Sequence, residues 1–333
     1  MFSPERHNAD VMLIHRRRFL AAATVLMGLP SAVIAQASVP RVAFLGLSGE
    51  GGEEVEQFKR GMRELGYVDG SNLRLEVPNL GGRYEGLPAL LKELVQRDVR
   101  VIVTRGSTAT NVAKKATDSV PIVMIAGLDP VKSGFAASLS RPGGNLTGIT
   151  IILQEMAAKR LELLRELLPG LAHVGVLFNP ESKGSAGSLE ETKAVARNLE
   201  LRVVQARATA ELESAFAQLA AAKVQAVLTT PSTMFTANRK LICDLAVRHR
   251  LPSMFYDAEY VETGGLMSYG PDIPAACRRA AAYVDRILKG AKPGELAIEQ
   301  PTKMELIINA KTAHALGMKI PQAILLRTDR VFE

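Results

Sequence analysis

The residues able to do chemistry sit in seven short polar loops: Leu47-Ser48-Gly49, Gly106-Ser107-Thr108, Gly127-Leu128-Asp129-Pro130, Asn179-Pro180-Glu181-Ser182, Thr230-Pro231-Ser232, Tyr256-Asp257 and Ser268-Tyr269-Gly270. They offer hydroxyls, amides, free backbone and tyrosine, and almost nothing that pairs as nucleophile and base. That is the inventory of a binding site. The segment "TRGSTATNVAKKAT" (104–117) is the most telling. An apolar run ends there, a small polar loop follows and an amphipathic run starts, so a helix N-terminus presents unsatisfied N–H groups to an anion.

Other chemistries find little support. "GLSGEGGEEVE" is glycine-rich but lacks G-x-G-x-x-G spacing, and Glu50, Glu53, Glu54 and Glu56 would repel a pyrophosphate. Neither a P-loop nor a G-x-S-x-G elbow occurs. His173, His249 and His314 lack metal-ligand or catalytic spacing, and there is no C-x-x-C. No catalytic residue, metal or cofactor is expected. Cys243 and Cys277 read as two separate core thiols, although an exported protein could join them.

The elements that must position the loops alternate. From 41 to 150, "RVAFLGL", "NLRLEV", "VRVIVTRG", "PIVMIAG" and "NLTGIT" read as strands. Between them "EVEQFKRGMRELGY", "LPALLKELVQRD", the run from Ser107 and "PVKSGFAASLS" read as helices. The pattern restarts at "MAAKRLELLRELLP" and continues through "HVGVLFN", "LRVVQAR", "VQAVLTT" and "PSMFYD". Repeated strand–helix–strand with continuous apolar strands predicts parallel sheets covered on both faces. The final pieces, "GGLMSYG", a long helix from Pro274, "ELAIEQP", "MELIIN" and "AKTAHALG", are too few for a third domain. They complete the two sheets, so the chain crosses between lobes more than once. In open α/β sheets ligands bind at the carboxyl ends of strands, where the polar loops fall.

The N-terminus reads as an export signal. Arg16-Arg17-Arg18 precede a moderately apolar stretch from Phe19 to Leu29, and Ala35-Gln36-Ala37 is an A-x-A processing site. "RRRFL" follows the twin-arginine pattern, with His15 and Ala21 departing from it; a general secretory signal is the other reading. Either predicts a periplasmic mature protein from about Ser38. Residues 1–37 carry +2 of the +7 net charge. The remaining positive charge is spread along the chain without interleaved aromatics, and there is no Trp, which argues against nucleic-acid binding.

Several segments, in order, resemble one family: "FKRGMRELGYVDGSNLRLE", "DPVKSGFAASLSRPGGNLTG", "KRLELLRELLP", "GGLMSYG", "RRAAAYVDRILKGAKPGEL" and "EQPTKMELIINAKTAHALGMKIPQAILLR". They are similar to the exported substrate-binding proteins of ABC transporters in the tryptophan/tyrosine-type group. The resemblance covers essentially all of 41–333. It implies an α/β type I periplasmic-binding-protein fold, with two Rossmann-like parallel-sheet lobes joined by a multi-strand hinge. Lobe 1 is expected over 41–150 plus about 266–300, and lobe 2 over 151–265 plus about 301–333. It also implies a monomer delivering a small-molecule ligand to an ABC permease driven by a cytoplasmic ATPase. The family's loop after its third strand reads Gly-Thr/Ser-x-Ala, matched here by Gly106-Ser107-Thr108-Ala109. Many relatives carry an aromatic-rich stretch ending the second strand, where this chain has "LEVPNLGGRYEG", so aromatic specificity does not transfer.

The expected ligand is an amino acid or related carboxylate. The candidate binding residues are Ser48, Gly106, Ser107, Thr108, Asp129, Asn179, Ser182, Ser232, Tyr256 and Tyr269. Ser107 and Thr108 would hold the carboxylate, Asp129 or another acid an amine, and the two tyrosines the side chain. Capping serves equally as a reading of Ser107, Thr108 and Asp129, a turn as one of Asn179, and half-buried core as one of each tyrosine. A ligand-sensing receptor subunit, or less readily an exported α/β hydrolase, remains an alternative.

Overall fold

The computed structural model describes residues 39–46, 50–79, 86–127, 129–151, 156–301 and 303–333. The expected export signal, Ser48 and Tyr84 lie outside them.

A five-stranded sheet takes the first half of the chain. Its strands are β1 (Arg41–Leu45), β2 (Arg74–Glu76), β3 (Val101–Arg105), β4 (Ile122–Ala126) and β5 (Leu146–Thr150). They lie in the order β2-β1-β3-β4-β5, all parallel. Three helices from this half cover it: α1 (Glu53–Glu64), α2 (Leu87–Gln96) and α3 (Ser107–Ala116). The strands "VIVTR", "IVMIA" and "LTGIT" are buried along their whole length because helices lie on both sides.

A seven-stranded sheet holds the rest. After α4 (Met156–Leu167) come β6 (His173–Phe178), α5 (Lys183–Val195), β7 (Glu200–Gln205), α6 (Leu212–Ala221) and β8 (Ala226–Thr229). Then follow α7 (Thr233–Ala237), α8 (Arg239–Arg248), β9 (Ser253–Phe255), α9 (Ala258–Glu262), β10 (Met267–Pro271) and α10 (Ile273–Leu288). The chain ends through β11 (Met304–Asn309), α11 (Ala310–Ala315), α12 (Gln322–Leu325) and β12 (Arg330–Phe332). The order is β12-β11-β10-β9-β8-β6-β7. Read from its far edge, β7-β6-β8-β9-β10 repeats the first sheet's order, so the repeat read in the sequence is a repeat of topology. β11 runs antiparallel to β10 and is the one antiparallel pairing among the described strands.

Two expectations need correction. β10 pairs with β9 and β11, so residues 266–271 belong to the second lobe and the return to lobe 1 begins at α10. α10 then packs on α1 in the lobe 1 core, through Ala276, Cys277, Ala280, Ala281 and Val284. The expected helix over 130–140 is a set of turns. Asp129 Oδ1 accepts from the N–H of Val131 and of Lys132, and the turn stops at Gly134, where φ is +72°. "ELAIEQP" makes a single bridge, Glu299 to Ile149, that ties the last crossover to β5.

Among the described residues no helix is long and apolar enough to cross a membrane. Cys243 and Cys277 are both free and buried, in different cores. Burial pushes the Cys243 thiol up to about 12 against a Thr263 hydrogen bond and the Lys240 and Arg239 charges, and burial with the Glu54 charge raises Cys277 well above its ordinary value. Neither is expected to react with Ellman's reagent in the native protein at about pH 8, because the thiolate is the nucleophile. Both should react after unfolding, and colour before unfolding would contradict this burial.

Candidate ligand-binding site

Both sheets turn the carboxyl ends of their inner strands to one cavity. Each sheet contributes the loops beside its switch point, where strand order reverses. From lobe 1 come Arg105, Gly106, Ser107 and Thr108 after β3; from lobe 2 come Ser182 and Gly184 after β6, and Ser232 and Thr233 after β8. Tyr256 and Asp257 follow β9, and Ile151, Pro271 and Ile273 form the hinge side.

Three helices from the two lobes start at this cavity without side-chain caps. Gly106 precedes α3 at φ +92°, a conformation that favours glycine, and gives α3 no capping oxygen. Ser182 precedes α5, but its Oγ donates instead to the Pro231 carbonyl at 3.1 Å. Ser232 precedes α7 without capping it, and accepts at Oγ from Asn179 Nδ2 at 3.0 Å. The lobes come close here: a β-carbon on Gly184 would lie 3.6 Å from Ser107 Oγ, and one on Gly106 would lie 3.3 Å from Thr233 Cγ2. The first-turn N–H groups of α3 and α5 have no intrahelical acceptors, and each helix adds a partial positive charge.

The charged groups of the wall are buried. Arg105, ending an otherwise apolar strand, is 8% exposed. Its Nε lies 2.7 Å from Glu54 Oε1 in an ion pair without hydrogen-bond alignment, and its Nη2 donates to Asp257 Oδ2 at 3.0 Å. The guanidinium therefore links α1 of lobe 1 to the start of α9 in lobe 2. Burial would lower the Arg105 pKa, but the charges of Glu54 and Asp257 more than offset it and keep the group cationic. Asp257 Oδ1 caps α9 by accepting from the Glu259 N–H at 3.1 Å.

Of the candidate residues, Gly106, Ser107, Thr108, Ser182, Ser232 and Tyr256 meet at the cavity. Three described ones do not line it. Asn179 is 4% exposed and spends its side chain on the Glu181 N–H and on Ser232. Asp129 caps its own turn, and the acid in the cavity wall is Asp257. Tyr269 packs against the cores of both lobes, with its carbonyl accepting from Arg160 Nε at 2.8 Å. Tyr256 shares a hydrogen bond with Thr236 at 2.6 Å, and burial raises its phenol pKa. Arg105 escaped the sequence reading, though a lone cation closing "VIVTR" was a visible signal. Glu54 read as one of several helix-start acids, yet it is 1% exposed. Among the described residues no group of His, Cys, Asp and Glu could hold a metal ion.

Comparison with known proteins places this arrangement. The family profile of ABC transporter substrate binding proteins matches residues 47–332, and the chain belongs to that family, whose members bind a ligand and do not turn it over. It is similar to a tyrosine-binding protein of Clostridioides difficile, 24% identical over 264 residues, covering 79% of this chain and 76% of the relative. A conserved domain protein of Vibrio cholerae superposes with a TM-score of 0.80 at 24% identity, covering 88% of this chain and 99% of that one. An ABC domain from Streptococcus pneumonia, solved in complex with L-Trp, gives 0.76 at 24% identity, covering 88% and 100%. The fold is that of type I periplasmic binding proteins.

Proposed function

We propose that the protein is an exported solute-binding protein that closes its lobes on an amino acid or related carboxylate and delivers it to an ABC importer. The carrying observation is the convergence of the uncapped α3 and α5 N-termini, one from each lobe, on a single cavity. Ser107 and Thr108 receive the carboxylate with their hydroxyls and N–H groups, and the Gly184 N–H in the first turn of α5 adds a donor from lobe 2. Asp257, rather than Asp129, meets an amine, and Tyr256 lines the side-chain space. A relative named for tyrosine binding and a similar structure solved with L-Trp support the amino-acid reading. Lobe closure excludes water from the polar contacts and presents the closed surface to the permease. The mature chain acts as a periplasmic monomer once residues 1–37 are removed.

A thermal-shift screen of the mature protein against amino acids, aromatic acids, nucleosides and small amides tests this. A ligand at about 100 times its dissociation constant adds about 2.7 kcal/mol of stability. A shift with an amino acid is expected; a shift with uncharged compounds alone would discard the carboxylate assignment. The double variant Ser107→Ala/Thr108→Ala should bind about tenfold more weakly or worse, since a hydrogen bond to a charged group contributes about 1.5–3 kcal/mol. Unchanged affinity by calorimetry would remove both residues from the site.

A further inference from the structure

The cavity between the lobes is small. The space inside it that a water centre can reach is about 60 Å³. One water needs about 10–15 Å³ of such space, so the cavity takes roughly four to six waters. Bonded atoms sit closer together than neighbouring waters. That leaves room for the carboxylate and amine of an amino acid and a side chain of about one to three heavy atoms. We propose that the site is sized for a small amino acid, with a side chain no larger than that of threonine or valine, and excludes aromatic ones. This rests on the reading of the cavity as the ligand site.

The walls are held from behind. Ile151 and Ile273 line the cavity, are 4% and 5% exposed and belong to the lobe 1 core. Pro231 and Pro271 add rings that have no rotamer to give way. Tyr256 is tethered: its hydroxyl shares hydrogen bonds with Thr236 at 2.6 Å and Tyr260 at 3.4 Å, and Tyr260 stacks on Phe255 with ring centroids 4.4 Å apart. A close-packed interior of this kind yields little to an oversized group. The lobes also resist standing apart. Arg105 Nη2 donates to Asp257 Oδ2 at 3.0 Å from one lobe to the other, and a β-carbon on Gly106 would already lie 3.3 Å from Thr233 Cγ2. A larger side chain would hold the lobes open and separate charges that are buried together.

The test is calorimetry on the mature protein. The probes are glycine, L-alanine, L-serine, L-threonine, L-valine, L-leucine, L-phenylalanine, L-tyrosine and L-tryptophan, with propionamide and indoleacetamide as uncharged small and large molecules. The tightest ligand should lie among alanine, serine, threonine and valine. The aromatic amino acids should bind at least about tenfold more weakly, because forcing atoms into a filled site is costly. Ile151→Ala and Ile273→Ala each trim the wall and should shift the order toward leucine and phenylalanine by about tenfold. The ranking in the parent needs no variant, so a variant that fails to fold leaves the test intact. An aromatic amino acid that binds the parent as tightly as the best small one overturns the inference and leaves the carboxylate reading standing. An unchanged order in both folded variants overturns it too, since the limit is then not this wall. Binding of propionamide with none of the acids and not of indoleacetamide sustains the size limit and sinks the carboxylate reading. Binding by no probe overturns both.

Discussion

Arg105→Met is expected to cost about 3–5 kcal/mol, the range for removing one partner from a buried ion pair. It should appear as a lowered denaturant midpoint in the mature protein. The reason is what the substitution leaves behind. Glu54 and Asp257, 1% and 2% exposed, would face each other without the cation between them. A buried carboxylate without a partner is costly, and neutralising it by protonation has its own cost at neutral pH. Arg105→Lys should recover only part of the loss, because a lysine ammonium lacks the planar fork that lets Arg105 meet Glu54 and Asp257 from one group. The triple variant Glu54→Gln/Arg105→Met/Asp257→Asn should recover most of it, since no unpaired charge remains. Stability of Arg105→Met within about 1 kcal/mol of the parent, the surface-pair range, would show that the interlobe ion pair is not made in the folded protein.

Gly270→Ala should be comparably damaging and should abolish ligand binding as well. Gly270 lies in β10 beside the end of β9, and a β-carbon there would sit 2.0 Å from the Tyr256 carbonyl oxygen. No rotamer relieves a clash between two backbones, so the strands must part. Tyr256 and Asp257 follow β9 directly and would leave the cavity wall with it. The expected loss is about 3 kcal/mol, the upper part of the range for overpacking. Gly187→Ala is the control: it lies within α5 with nothing inside 4 Å of its β-carbon. Helix propensity predicts that it stabilises by about 0.5–1 kcal/mol. If Gly270→Ala melts and binds like the parent, the strands are not in contact there.

The alternation of apolar runs and amphipathic runs was legible because it is local. Each strand announces itself over about five residues and each helix over two or three turns. The positions of Gly106, Ser107, Thr108, Ser182, Ser232 and Tyr256 followed from the strand ends, since parallel topology gathers those ends at one edge. What depended on partners far along the chain was not legible. Arg105 and Asp257 are 152 residues apart, and nothing in either neighbourhood names the other. β10 reads as a strand from its own residues, but its sheet is set by its pairing with β9 and β11. Asp129 illustrates the competing pull of local chemistry: the Asp-Pro pair that suggested a binding loop is consumed by its own turn. The helix expected after it failed because apolar spacing over 130–140 is interrupted at Gly134 and by the serine pair Ser138 and Ser140, whose hydroxyls bond locally.

The most direct test of the account is a crystal structure of the mature protein with the amino acid that gives the largest thermal shift. The account predicts the ligand between the lobes, its carboxylate within hydrogen-bond distance of Ser107 and Thr108 at the start of α3, and its amine beside Asp257. A ligand bound elsewhere, or one in the cavity with its carboxylate away from both helix starts, would contradict it.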